Sequence, residues 1–239
     1  SKNTLTALTA DTLKTLNITG DTELVITTVT GYKGTPSNGT AIDATIDASA
    51  FTGKFTSNLG NEAATLDIKG GTGTDIIKLG ATLTKNDKID LGAGTDRVEI
   101  TGASIGTALK VTDRTLTNVE TLRVQSTAGT ALSIDGDGDA ITRYEHLQNA
   151  TDNTAGTISN IAAGDTVAFL ATTNGADAAA LTVSLKDASG SSDNVNLEIL
   201  GTTALGAESV GSTLTLADVE TINIKSGSYS STAMTSSDS

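Results

Sequence analysis

Along most of the chain, apolar and polar residues alternate in short runs closed by Gly, Asn, Asp or Ser. Leu16-Asn17-Ile18-Thr19, Leu24-Val25-Ile26, Thr65-Leu66-Asp67-Ile68 and Val98-Glu99-Ile100 follow this pattern. So do Leu122-Arg123-Val124, Leu181-Thr182-Val183-Ser184-Leu185 and Ile222-Asn223-Ile224. A period of two in Thr- and Val-rich segments belongs to strands, and the glycines between them mark turns. Helical spacing is weak and confined to two short candidates, Leu5 to Leu16 and Arg143 to Asn149. The pattern predicts an all-β fold.

The strands repeat at long range. Thr117-Asn118-Val119-Glu120-Thr121-Leu122-Arg123-Val124-Gln125-Ser126 returns as Ala217-Asp218-Val219-Glu220-Thr221-Ile222-Asn223-Ile224-Lys225-Ser226, an offset of 100 residues. Asp96-Arg97-Val98-Glu99 likewise corresponds to Asp193-Asn194-Val195-Asn196, and Leu13 to Gly20 is a degenerate earlier copy. The chain therefore divides into four parts. Residues 1–20 end a preceding repeat unit, 21–126 form the first full unit, 127–226 the second, and 227–239 a flexible Ser/Gly/Thr tail. Repetition of this kind points to stacked short strands, a solenoid at least in part. β-Sandwich modules are the alternative, chiefly for the less repetitive stretch Ile161 to Leu200.

A shorter period is nested within residues 70–100. Gly70-Gly71-Thr72-Gly73-Thr74-Asp75-Ile76-Ile77 is followed by Leu91-Gly92-Ala93-Gly94-Thr95-Asp96-Arg97-Val98, and Asp87 stands nine residues before Asp96. Nonapeptide spacing of Gly-x-Gly-x-Asp-x-apolar is the pattern of a parallel β-roll. Glycine permits tight turns at positive φ and leaves backbone oxygens accessible, while aspartate supplies charge to a hard cation that takes six to eight oxygens. One Ca²⁺ is expected between the Gly71–Asp75 and Gly92–Asp96 loops; ordinary Gly-rich turns without metal are the alternative. Turns should recur about every 18 residues on one edge. The 21 from Asp75 to Asp96 imply a three-residue bulge around Ala81 to Lys85.

A second oxygen-rich segment is Asp135-Gly136-Asp137-Gly138-Asp139-Ala140-Ile141. An EF-hand loop needs Gly at its sixth position and Glu at its twelfth, where Ala140 and His146 stand. Asp135, Asp137 and Asp139 are therefore read as a Ca²⁺ loop of another kind, a degenerate roll turn or a solvated acidic turn.

Composition narrows the classes further. The 239 residues carry a net charge of −13, so a phosphate backbone is repelled and nucleic-acid binding is not expected. No apolar run reaches the 18 or so residues of a membrane-spanning helix. There is no cysteine, which excludes disulfides and thiolate metal sites. No signal peptide opens the chain, whose start at Ser1 reads as a piece of something longer. Threonine numbers 44 and Phe, Tyr and Trp together six, so the core must be built from Val, Ile, Leu and Ala.

Taken together, Gly70 to Lys78 resembles the nonapeptide of the repeats-in-toxin (RTX) proteins exported by bacterial type I secretion. Ile46-Asp47-Ala48-Ser49-Ala50-Phe51-Thr52-Gly53 and the Val-Glu-Thr-Leu/Ile strands are similar to bacterial S-layer and large adhesin proteins. The resemblance implies Ca²⁺-dependent folding after export, self-association into a layer on the bacterial cell surface, and no catalysis. It also implies ligands: the carboxylates of Asp75 and Asp96 and the main-chain oxygens of Gly71, Gly73, Gly92 and Gly94. The long nonapeptide array of the toxins is missing here, which favours a surface-layer segment.

An enzymatic reading has little support. His146 is the single histidine and sits in no motif, and three scattered tyrosines do not line a sugar groove for a carboxylate pair. Ice binding needs a regular Thr-x-Thr ladder, and the threonine spacing is irregular. The expected role is a calcium-stabilised, self-assembling surface protein with other copies and cell-surface polysaccharide as partners. A calcium-dependent adhesin module is the alternative.

Overall fold

The computed structural model describes residues 1–32, 42–60, 64–102, 109–110, 115–125, 131–136, 141–148, 155–171, 180–202, 213–217 and 219–229. These form strands, turns and irregular segments, with no α-helix among them. No helix of the described residues is long and apolar enough to cross a membrane. The chain divides into two compact units, residues 1–100 with 112–122, and residues 101–111 with 123–239.

In the first unit, one sheet orders β1 (Lys2–Leu5), β4 (Glu23–Ile26), β7 (Phe55–Asn58), β9 (Ile76–Gly80) and β11 (Arg97–Thr101). A second orders β3 (Thr15–Asn17), β6 (Ala44–Asp47), β8 (Leu66–Lys69), β10 (Lys88–Asp90) and β13 (Thr115–Thr117). A short pair, β2 (Leu8–Leu13) with β5 (Val29–Tyr32), completes it. All of these pairings are parallel. Successive strands alternate between the sheets, so the chain climbs as a β-solenoid. Arg97 pairs with Ile76 and Lys88 with Asp67, a pitch of 21 residues on both sheets. This turn is three residues longer than 18, as the spacing of Asp75 and Asp96 implied. The extra residues form the corner after β9, where Thr82 N–H donates to the Leu79 carbonyl.

The second unit is built in the same way. One sheet orders β14 (Thr121–Gln125), β16 (Arg143–Gln148), β18 (Thr166–Ala171), β20 (Asn194–Thr202) and β22 (Thr221–Tyr229). The other orders β12 (Leu109–Lys110), β15 (Ser133–Asp135), β17 (Gly156–Ile161), β19 (Leu181–Leu185) and β21 (Leu214–Ala217). The pairings of β16 through β22 are parallel. An antiparallel sandwich over 161–200 is therefore excluded.

Both helix candidates are strands. Leu5 to Leu16 crosses β1, β2 and β3, and Arg143 to Gln148 is β16. Their backbone groups find partners in neighbouring turns, and that long-range pairing overrides a weak local preference.

Inward positions carry the core. Ile46, Phe55, Ile68, Ile77, Ile89, Val98 and Ile100 are buried in the first unit, and Ile134, Tyr144, Ile158, Val167, Val183 and Val195 in the second. All three phenylalanines are buried. In the second unit the opposite face of the β16–β18–β20 sheet is also buried, through Leu147, Ala168, Leu170 and Leu200. Parallel sheets are characteristically covered on both faces. Charges share this face: Arg123 reaches Glu145 at 2.7 Å, while Arg143 reaches Glu145 and Glu198, each at 2.7 Å. Ala168 stands in register between Glu145 and Glu198, small enough for Arg143 to span from β16 to β20.

Candidate metal centre at the glycine–aspartate turns

The loops entering β4, β7, β9 and β11 lie directly on one another. Thr52 N–H donates to the Gly20 carbonyl at 2.9 Å, Thr72 N–H to Phe51 at 3.1 Å, and Ala93 N–H to Gly71 at 2.9 Å. This spacing explains the glycines. A Cβ on Gly71 would overlap the Phe51 carbonyl oxygen, one on Gly73 that of Gly53, one on Gly92 that of Gly71, and one on Gly94 that of Gly73. Gly92 at φ +82° and Gly94 at φ +151° also occupy backbone conformations that side chains disfavour.

The aspartates close these loops from the side. Asp75 Oδ1 accepts the Phe55 N–H at 2.8 Å and its Oδ2 the Gly71 N–H at 3.0 Å. Asp96 Oδ1 accepts the Asp75 N–H at 2.6 Å, and Glu120 Oε2 accepts the Asp96 N–H at 2.7 Å. Each carboxylate thus satisfies a strand-entry N–H one turn earlier, and buried backbone donors need such partners. Burial pushes the Asp75 carboxyl above its ordinary range, against the pull of its two N–H donors and of Lys54. Asp96 is pushed up to about 6, first by burial, tempered by the Asp75 N–H and reinforced by the charges of Asp75 and Glu120. Both residues are fully buried, yet Asp96 Oδ2 has no hydrogen-bond partner.

The remaining expected residues fall elsewhere. Asp87 precedes β10, on the other sheet, where its Oδ1 accepts the Leu66 N–H at 2.7 Å and its Oδ2 the Thr84 N–H at 2.6 Å. Burial raises its carboxyl as well. Asp135 ends β15 and accepts from Asn160 Nδ2 at 2.8 Å. Asp137 and Asp139 lie outside the described residues. Glu120 was not among the sequence candidates, although the repeated Val-Glu-Thr carried its signal.

The fit to a hard cation is partial. Asp75 spends both oxygens on backbone N–H groups, and the Gly71 carbonyl accepts from Ala93. Asp96 Oδ2 retains its full acceptor capacity, and the side-chain space of Gly94 is lined by the Gly73 carbonyl oxygen and, at 3.0 Å, Asp96 Oδ1. Oxygen donors of this kind suit Ca²⁺. Among the described residues no three His, Cys, Asp or Glu side chains converge on one point, so an ion here would complete its shell with carbonyls and water. Comparison with protein-family models, curated proteins and solved structures finds no match.

Proposed function

We propose that the chain is a structural, non-catalytic module of a bacterial surface layer, assembling with further copies outside the cell and stiffened by Ca²⁺ at the Gly71–Asp75 and Gly92–Asp96 turns. The observation that carries the calcium reading is Asp96 Oδ2, a buried carboxylate oxygen without a partner beside the charges of Asp75 and Glu120. A charge so placed is costly unless a proton or a cation balances it. Bound Ca²⁺ would neutralise it, with Asp96 as the carboxylate ligand and the turn carbonyls of Gly73 and Gly94 as neighbours; Asp75 serves by holding the two loops in place. The layer reading is supported by the solenoid itself, whose stacked turns end in strand edges suited to docking with similar modules. It is supported also by the acidic, cysteine-free composition.

The test is electron microscopy and thermal melting of the chain with Ca²⁺ and with EGTA. Ordered sheets or higher oligomers that appear with Ca²⁺, together with a lower melting temperature in EGTA, are the expected results. A calcium-stabilised monomer that binds cells or glycans would replace the layer by the adhesin reading. A melt indifferent to EGTA would remove the calcium.

A further inference from the structure

Large apolar residues left exposed by the fold gather at two strand edges. Four such side chains are exposed among the described residues, and three of them, Leu5, Ile222 and Ile224, lie on β1 and β22. Each continues a column that is buried one strand further in. Leu5 stands in register with Ile26, and Ile222 and Ile224 with Val195 and Leu197, all of them buried. Leu5 is nevertheless 42% exposed, Ile222 43% and Ile224 66%. These are core positions without a further turn to cover them. Among the described residues, β1 pairs only with β4 and β22 only with β20.

Edge strands are ordinarily kept short, bulged, or guarded by charge or proline. β22 has none of these guards. It is nine residues long, contains no proline, and holds nine consecutive pairs with β20 without a register shift. Its single charge, Lys225, is engaged by Glu198 at 2.9 Å. An amide ladder also runs toward the free edge. Asn196 Nδ2 donates to the Gly164 carbonyl at 2.7 Å, and Asn223 Nδ2 donates to Asn196 Oδ1 at 3.0 Å. The next acceptor in that ladder is Asn223 Oδ1.

A second copy of the chain supplies the matching edge. β1 and β22 both pair in parallel with their neighbours, so β1 of another copy can extend β22 in the same sense. Two β22 strands related by a two-fold axis would instead meet antiparallel and break the columns. Setting Leu5 on Ile224 places Asn3 on Ile222 and the Thr4 hydroxyl beside Asn223. A slip of one residue would turn Leu5 to the wrong face. Charge favours the same contact. Residues 1–20 hold Lys2 and Lys14 against Asp11, net +1 in a chain of −13. Residues 203–229 hold Lys225 against Glu208, Asp218 and Glu220, net −2.

We infer that the chain docks head to tail with a second copy of itself, the β22 edge of one copy continuing into the β1 edge of the next. The inference rests on the self-assembly proposed above and names its contact. Because the two edges differ, the contact is heterologous and can add copies one after another.

Sedimentation velocity of the full chain at rising concentration, in Ca²⁺ and in EGTA, tests this. Wild type should form oligomers that grow with concentration. Ile224→Lys, which blocks the β22 edge, and Leu5→Lys, which blocks the β1 edge, should each be monomeric alone. Mixed in equal amounts they should form a dimer and nothing larger, since one intact edge of each kind remains. Far-UV circular dichroism checks folding, with Ile222→Lys and Asn3→Lys as replacements for a variant that loses its strand signal. A folded variant that still self-associates alone, or two monomeric variants that fail to pair when mixed, overturns the head-to-tail contact. Calcium-dependent sheets formed equally by wild type and both variants do so too, and leave the layer reading standing. Wild type that stays monomeric under both conditions overturns the contact and the layer together.

Discussion

Replacing Asp96 with asparagine separates what its carboxylate does for the fold from what it costs. Asn Oδ1 can still accept the Asp75 N–H, now held at 2.6 Å, so the turn keeps its cap. The unpartnered Oδ2 becomes an uncharged amide nitrogen, relieved of the repulsion from Asp75 and Glu120. Asp96 is pushed up to about 6 from an ordinary 3.8, so ionisation at neutral pH costs about 3 kcal/mol at roughly 1.4 kcal/mol per unit. The new amide must itself be satisfied, so the expected net gain without metal is about 2 kcal/mol. That corresponds to about 4–8 °C in melting temperature for a chain of this size. The sign with pH follows from a raised folded-state value. The penalty is complete above about pH 6 and fades as pH falls toward the unfolded value near 4. Urea titrations followed by circular dichroism, in EGTA at pH 7.5 and pH 4, should show a large gain for Asp96→Asn at the first pH and almost none at the second. With millimolar Ca²⁺ the order should narrow or reverse, because only wild type supplies the carboxylate. A variant less stable than wild type in EGTA at pH 7.5, or a gain undiminished at pH 4, refutes the reasoning.

Other perturbations follow from the same contacts. Gly71→Ala places a methyl group against the Phe51 carbonyl and should cost about 2–4 kcal/mol, read as a fall in the urea midpoint with the slope unchanged. Arg143→Met removes the partner shared by Glu145 and Glu198 and should cost roughly 3 kcal/mol at pH 7, with most of the loss cancelled in Glu145→Gln/Arg143→Met if the pair is the cause. Burial works against ionisation of Glu145, yet Arg123 and Arg143 hold its carboxyl below the ordinary range. Its stabilisation is therefore present above the unfolded value and lost as pH falls through the lowered one, a slope opposite to that of Asp96 that acid titration of Arg143→Met should flatten. Ser57 is buried with its hydroxyl unpartnered, so Ser57→Ala should raise stability by about 1 kcal/mol in a thermal melt.

Much of the architecture was legible in residue order, because strand alternation and turn glycines are local properties. Leu66-Asp67-Ile68 and Val98-Glu99-Ile100 announce strands with one apolar face, and the spacing of Gly71, Gly73 and Asp75 against Gly92, Gly94 and Asp96 announces stacked turns. The partners were not legible, because they lie 20 or more residues away in turns of unequal length. Thr56 pairs with Ile76 after 20 residues, but Thr166 pairs with Asn196 after 30. The weak helical spacing of Leu5 to Leu16 and of Arg143 to Asn149, whose last residue lies outside the described ones, gave way for the same reason: parallel neighbours satisfy Arg143–Gln148 and the strands of Leu5 to Leu16. Burial of both faces of the β16–β18–β20 sheet was equally hidden, because Glu145 and Glu198 read as solvent positions until Arg123 and Arg143 are placed beside them.

At the candidate site the division is the same. Residue order by itself determined that glycines and aspartates recur at a turn spacing, because close approach needs glycine and backbone donors or cations need carboxylate. Only the tertiary structure decided which use each carboxylate has. Stacking the loops brings the Phe55 and Gly71 N–H groups to Asp75 and consumes both its oxygens, while Asp96 gives one oxygen to Asp75 and keeps the other. Glu120, 24 residues beyond Asp96, enters the site only because the next turn of the solenoid lies against it.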